Sequence, residues 1–381
     1  MRNLWIIAGI FVVVVAAIFV GIRLSQKPTP QEQVIRIGAI LPLTGPIAYF
    51  GEYERNAIEI AIDEVNSSGG INGRRVQVIY EDHKNDPQTG VSALNKLINL
   101  NKVPVVITQM SAVSMAMAPV ADAQKVVLVS LAMHPKLAKT SPYVFRIFES
   151  IAQESEALAE YAAKEAKFKK IAIIYINDVW GKEAAEVFNR KFQLLGGKVT
   201  MMEGFPVAEK EFRSLLLKVQ KTQPQATYIA AYGPSVIAVL KQYREMGLKS
   251  VVLGNIGMSW DYILRGAGEA AEGAIIVMPV FIAEEFQKVS FVQEYYHRYG
   301  KYPNNESAYT YDVIRLIIEA IKKNGYSADG IRKYLSSIKI YRGISGTFHI
   351  DQDGDTKMES VAIRIVKNGR LMKLKEVRLI R

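Results

Sequence analysis

"LPLTGPIAYFGEYERNAIEIA", residues 41–61, follows the short apolar run "IRIGAI". An apolar strand breaks into a turn-rich loop, and the loop gives way to a helix whose Ala57, Ala61, Ile62 and Val65 recur on one face. A nucleotide-binding loop at such a place carries G-x-G-x-x-G, because glycines let the backbone wrap a phosphate. This loop has only Gly45 and Gly51, with Tyr49 and Phe50 between them. It offers apolar ring surface where a phosphate loop offers bare backbone.

Working outward, the chain from Val34 alternates strand and helix. "VIRIGAIL" and "RRVQVIYED" are expected strands, separated by a helix over about 51–66 that ends at "SSGGING". "NDPQTGVSALNKLIN" opens a helix with Asp86 as N-cap and Pro87 in its first turn. "VPVVIT", "SAVSMAMAPVADAQK" and "VVLVS" continue the pattern. Such repeats predict an α/β chain with largely parallel sheets covered on both faces. Near residue 150 the pattern restarts: "KKIAIIYIND", then "VWGKEAAEVFNRKFQLLGG", then "KVTMMEGF". Phe50-Gly51-Glu52 in the first half answers to Trp180-Gly181-Lys182-Glu183 in the second, which predicts two similar lobes. Ligands of open α/β sheets sit beyond the carboxyl ends of the strands. Phe50 and Trp180 are therefore expected on opposite walls of one cleft.

Composition narrows the classes. The chain of 381 residues is 49% hydrophobic and 22% charged, enough for two cores. Cysteine is absent, which excludes disulfides, thiolate metal sites, a cysteine nucleophile and a lipid-modified cysteine. The net charge of +11 is spread along the chain without interleaved aromatics, so it reads as a basic surface and not as a nucleic-acid groove. His83, His134, His297 and His349 lack ligand spacing, so no metal and no cofactor is expected. "DQDGDTKMESVA" (351–362) begins like a calcium loop, but Thr356 and Ala362 stand where glycine and glutamate belong, and a hairpin turn is expected. No G-x-S-x-G, P-loop or H-E-x-x-H occurs, and nothing proposes an enzyme. Leu4–Ile22 carries no charge and as a helix would reach roughly 28 Å, close to a bilayer core. An uncleaved N-terminal membrane helix is expected, with a cleaved signal as the alternative, and residues 25–33 as a tether.

In order and spacing, "IRIGAILPLTGPIAYFGEYERNAIEIAIDEVNSSGGINGRRVQVIYED", "KIAIIYINDVWGKEAAEVF", "GPSVIAVLKQYREMGL", "GAGEAAEG" and "GISGTFHIDQDGD" resemble the type I periplasmic-binding-protein fold. The resemblance is to its leucine/isoleucine/valine-binding branch, the extracytoplasmic receptors of ABC importers, and covers nearly the whole globular part. It implies two doubly wound lobes joined by a three-strand hinge, a small ligand clamped between them, and an ABC permease with its ATPase as partner. The lobes are expected at 34–150 with 279–342, and at 151–278 with 343–381. The binding domain would be extracytoplasmic, held at the cell membrane by the N-terminal helix.

Carried over residue by residue, the resemblance implies that Ser111, also read as the N-cap of its helix, binds a ligand carboxylate. Ala132 and Met133 stand where the family supplies a carbonyl and a hydroxyl, so the hydroxyl is lost. Phe50 with Tyr49, Trp180 and Tyr232 would line the pocket. Ile256 stands where amino-acid binders place an acid against the ligand ammonium, and an apolar side chain cannot pair with a charge. A carboxylate or amide with an apolar or aromatic body is therefore the expected ligand. A free branched-chain amino acid is the alternative if another acid, such as Asp178 or Asp261, takes the ammonium. A ligand-sensing receptor ectodomain is the other class, and it would call for a second apolar span.

Overall fold

The computed structural model describes residues 34–134 and 136–379. The expected N-terminal membrane helix lies outside the described residues, and among those described no helix is long and apolar enough to cross a membrane.

Two sheets carry the fold. The first contains β1 (Ile35–Leu41), β2 (Val76–Asp82), β3 (Val105–Gln109), β4 (Val127–Leu131) and β5 (Val144–Arg146) in the order β2-β1-β3-β4-β5, every pair parallel. Its crossovers include α1 (Ala48–Ser67), α2 (Pro87–Asn99) and α3 (Ser111–Gln124). β3 and β4 are buried along their whole length, as continuous Val/Ile/Leu runs covered on both faces must be. Asp86 caps α2 as expected, accepting from the Thr89 N–H at 2.7 Å.

The second sheet runs β15-β14-β10-β9-β8-β6-β7. Five strands are parallel: β6 (Lys170–Ile176), β7 (Lys198–Phe205), β8 (Ala226–Ala230), β9 (Val251–Gly254) and β10 (Ile275–Met278). The hairpin of β14 (Ser360–Lys367) and β15 (Arg370–Arg378) adds antiparallel to β10. The helices here are α4 (Ile151–Glu160), α5 (Val179–Leu194), α6 (Arg213–Lys221), α7 (Pro234–Glu245), the short α8 (Ile256–Ser259) and α9 (Asp261–Ala267).

The chain returns to the first sheet through α10 (Ser290–Tyr299), α11 (Asn305–Asn324) and α12 (Ala328–Ser337). Phe291, Tyr309, Val313, Ile317 and Leu335 join Ile37, Ile58 and Val129 in one core. A three-stranded antiparallel sheet follows, β11 (Tyr341–Arg342), β12 (Thr347–Ile350) and β13 (Thr356–Met358). Residues 351–355 form the β12–β13 turn, as read from their broken calcium pattern. Phe348, Ile350 and Met358 pack into the core of the first sheet, so the segment that the sequence divides at 342 stays with that core as far as Met358.

The repeated aromatic–Gly step has one physical cause in both halves. A Cβ on Gly51 would lie 2.3 Å from the Pro42 carbonyl oxygen, and one on Gly181 would lie 2.2 Å from the Ile176 carbonyl oxygen. Each glycine lets the first turn of its helix close onto the end of the preceding strand. Tyr49, Phe50 and Trp180 therefore sit within the first turns of α1 and α5, a little later than the loop positions read from the sequence.

Three segments pass between the sheets: the one after β5, the one after β10 and the one after β13. Arg146, fully buried at the end of β5, ties two of them. Its guanidinium pairs with Asp355 and donates to the carbonyls of Phe148 and Glu149 (both 2.8 Å) and of Thr356 (2.9 Å). Thr356 Oγ1 accepts from the Phe148 N–H at 3.2 Å. Removing the cation strands a buried carboxylate and several carbonyls. Arg146→Met is expected to cost about 3–5 kcal/mol in denaturant unfolding; a loss below ~1 kcal/mol would show that the staple is dispensable.

Candidate functional site

The loops that leave the carboxyl ends of both parallel sheets meet. β1 leads to Tyr49 and Phe50, β3 to Ser111, and β4 to Ala132 and Met133. From the other side, β6 leads to Asp178 and Trp180, β8 to Tyr232, and β9 to Ile256 and onward to Trp260 and Tyr262. Rings from the two sides touch. Phe50 and Trp260 have centroids 4.9 Å apart at 79°, and Tyr49 and Tyr262 are 5.4 Å apart at 67° with hydroxyls 3.4 Å apart. Trp180 packs edge-on to Tyr232 at 5.3 Å, and Tyr232 lies 6.4 Å from Trp260. Edge-to-face rings suit the aromatic quadrupole and make a firm apolar wall. Trp180 Nε1 also donates across the cleft to Met133 Sδ at 2.8 Å.

Most of the residues singled out in the sequence converge here, but several are placed differently. Ser111 is the first residue of α3 and not its cap. Met110, at φ 69°, holds the cap position without a side-chain hydrogen bond. Ser111 lines a narrow cavity with Met133 and His134, faced by Ile151, Val179, Trp180 and Glu183. The Ala132 carbonyl accepts from Arg146 at 3.3 Å, so it serves the staple. Tyr232 donates to Asp178 Oδ2 at 2.5 Å, while Asp178 Oδ1 caps α5 by accepting from the Gly181 N–H at 2.7 Å. Asp261 is turned outward into an ion pair with Arg265 at 2.6 Å. Ile256 is buried at the start of α8, capped by Asn255.

Acids that the sequence did not single out are buried near these rings. Glu54, Glu149, Glu154 and Glu306 are all buried. Both carboxyl oxygens of Glu54, Glu149 and Glu154, and Oε2 of Glu306, have no hydrogen-bond partner among the described residues. Burial pushes each pKa up, because the charged form loses water. For Glu54 the Glu306 charge adds to that rise, and for Glu149 the charges of Glu154 and Glu306 do, so the group forms one electrostatic cluster. The Ile256 N–H lies near enough to ease the rise at Glu154, though it falls short of a hydrogen bond. That places an acid from α4 against the very residue that lacks one. Glu306 is pushed up to about 7 by burial, eased by its own N–H and by the Trp260 indole. The indole nitrogen itself makes no geometric hydrogen bond among the described residues. A signal for Glu54 was available: it lies one helical turn beyond Phe50 and one turn before Ala57 and Ile58, an acid on a buried face.

A family model described as periplasmic binding protein matches residues 34–370. A Leu/Ile/Val-binding protein homologue of Brucella melitensis is 26% identical over 347 residues, covering 89% of this chain and 93% of its own. A leucine-binding protein of Thermotoga maritima superposes with a TM-score of 0.81 at 26% identity, over 90% of this chain and 99% of its own. A solute-binding protein of an ABC transporter from Rhodopseudomonas palustris, solved with 3,4-dihydroxybenzoic acid, gives 0.81 at 26% identity over 91% and 98%.

A carboxyl whose pKa is raised by folding favours the folded state while it is protonated, and that advantage is lost as pH rises through the folded pKa. The depressed histidines, His83 at about 4 and His134, act in the opposite sense, but only below their ordinary value of 6.5. Stability is expected to fall as pH rises from about 4.5 through about 7, the range in which Glu306 keeps its proton only in the folded state, by up to about 1.4 kcal/mol per pH unit for each such acid, with the histidines opposing it below 6.5. Glu306→Gln should flatten the fall and raise the melting temperature at the alkaline end. A flat or rising profile in the parent protein would contradict the burial of these groups.

Proposed function

The chain belongs to the periplasmic binding protein family, and from that premise we propose that it is the extracytoplasmic solute-binding protein of an ABC importer. It clamps a small organic molecule between two lobes and presents the closed form to a permease. The lobes comprise 34–150 with 279–358, and 151–278 with 359–379. The observation that carries this is the meeting of Tyr49 and Phe50 with Trp260 and Tyr262 across the carboxyl ends of two separate sheets. A ligand that touches both walls is bound fully only when they are together, so it favours closure by its differential affinity.

Within that cleft the rings hold the organic body of the ligand, and the free N–H groups at the start of α3, with the Ser111 hydroxyl, suit a carboxylate. The names of relatives speak of leucine, isoleucine and valine, and the Rhodopseudomonas palustris neighbour holds an aromatic acid. Both are small carboxylates with an apolar body, the class expected from Tyr49, Phe50 and Ser111. Its family is one of binding proteins, and the protein is read as a receptor. Leu4–Ile22 anchors it in the membrane, its binding domain outside the cytoplasm. N-terminal sequencing of membrane-fraction protein tests that anchor, and a mature chain starting near residues 22–30 would remove it.

Mass spectrometry of natively purified protein identifies the bound compound. Trp180→Ala is expected to weaken its binding by about tenfold or more while far-UV circular dichroism stays unchanged. Loss of the fold in that variant would mean that Trp180 is core and not a wall of the site.

A further inference from the structure

The parallel strands of the first sheet turn their carboxyl ends to the cleft, so their amino ends form the outer end of that lobe. Cations collect there. Arg36 stands at the start of β1, Arg75 just before β2, Lys102 before β3, Lys125 before β4, and Lys139 in the turn that leads to β5. Lys322 lies in the last turn of α11, which returns to the same edge: Tyr326, just beyond it, accepts from the Arg36 N–H at 3.0 Å and donates to the Arg36 carbonyl at 2.7 Å. All six cations are exposed, and none has an ion-pair partner among the described residues. The acids beside them are engaged elsewhere. Asp329 accepts from Tyr143 at 2.8 Å and pairs with Arg332 at 3.6 Å, and Glu64 pairs with Arg315 at 3.2 Å. Asp122 accepts from the Ser141 hydroxyl at 2.6 Å, so a clear positive excess remains.

Two further observations give this patch a direction. The chain enters the fold here, where the Ile35 N–H donates to the Arg75 carbonyl at 2.8 Å. Ahead of it, residues 25–33 can reach roughly 30 Å when fully extended, and the apolar run Leu4–Ile22 precedes them. Leu100 is also 73% exposed at the end of α2, two residues before Lys102. An apolar side chain set among cations is a composition that enters a lipid headgroup layer. The second lobe has a basic outer end too, with Lys169, Lys170, Lys198 and Lys249 exposed before or at the starts of its strands. That end is the opposite extremity, because the two sheets meet at their carboxyl ends. Seven-residue strands make each sheet roughly 20 Å deep, so the tether cannot pass both sheets and the cleft between them.

We propose that the outer end of the first lobe docks on the anionic lipid surface of the membrane that holds the N-terminal helix. Arg36, Arg75, Lys102, Lys125, Lys139 and Lys322 lie against the headgroups, and Leu100 sits among them. This rests on the membrane attachment proposed above. Lipid phosphates supply what the six cations lack, a dense array of anions at short range. A nucleic-acid groove would interleave such cations with stacking rings, whereas the exposed apolar side chain here is a leucine. Docked in this way, the receptor stands with its first lobe fixed on the bilayer. The second lobe is then the moving body, free to close on a ligand about the three passages.

Fluorescence quenching on the full chain tests this. A fluorophore is placed on Gln124→Cys, exposed beside Lys125, or on Leu194→Cys, exposed at the outer end of the second lobe. The protein is reconstituted in vesicles of phosphatidylcholine, with or without phosphatidylglycerol, that carry a headgroup-linked quencher. The label at 124 is expected to be quenched in the anionic vesicles only, the label at 194 in neither, and added salt should relieve the quenching. Arg75→Gln, Lys102→Gln and Lys139→Gln together should lower the docked-to-free ratio on the order of a hundredfold, about fivefold per cation, with native circular dichroism. Lys169→Gln, Lys198→Gln and Lys249→Gln should leave it unchanged. Equal quenching in both lipids, or no effect of the first triple variant, would overturn the docking and leave the receptor and its anchor standing. Quenching at 194 in place of 124 would overturn the assignment to the first lobe. If the natively purified chain lacks its N-terminal segment, the same labels are read on protein added to the vesicles. Quenching at 124 then supports the surface without the anchor, and its absence overturns both. Release from anionic vesicles by an equimolar single-stranded oligonucleotide would assign the patch to nucleic acid and overturn the proposal.

Discussion

Everything in this molecule that bears on function depends on one constraint: two parallel sheets, built separately, must present their carboxyl ends to the same gap. Parallel strands leave all their forward loops on one edge, and the three passages between the sheets set those edges face to face. Arg146 fixes the first and third passages together. It is buried where a lone guanidinium would be prohibitively costly, and the Asp355 carboxylate with four carbonyl groups makes the position tolerable. Three passages between two separately built cores are the geometry that the proposed clamp requires.

The cleft above these passages combines two environments that oppose each other energetically. The rings of Tyr49, Phe50, Trp180, Tyr232, Trp260 and Tyr262 exclude water, and the carboxyls beneath them lose stability by that exclusion. A protein selected only for stability would place neutral side chains at Glu54, Glu154 and Glu306. Their unpartnered oxygens are a local sacrifice, of the kind found where a binding partner restores the balance.

The fold was largely legible because its signals are local. The strand–aromatic–glycine–helix order at Phe50 and at Trp180 reflects one steric requirement, close approach of a helix start to a strand end, and it appears in the sequence as a glycine. The meeting of Phe50, Trp180 and Tyr232 at the strand ends was legible for the same reason, since they fall at fixed places after strands. What escaped were the buried acids. Glu149 and Glu154 stand beside serines in "FESIAQES", and Glu306 in "NNESAY", where nothing distinguishes them from solvated helix-start acids. Only the packing of α1 against α11, far apart in sequence, buries Glu54 and Glu306 together. Ser111 was misplaced by one position because a left-handed residue at Met110 took the cap, which a methionine gives no reason to expect. The late crossing after Met358 was hidden because β11–β13 have no counterpart in the α/β alternation.

The claim at the centre is that ligand draws the two bodies together about the three passages. The absence of native cysteine makes a direct test simple. Spin labels on cysteines introduced at Leu100 and Leu194, exposed residues on the far sides of the two bodies, report their separation by double electron–electron resonance. Saturation with the compound released from natively purified protein should shift the distance distribution and narrow it to a single population. An identical distribution with and without bound ligand would contradict the clamp.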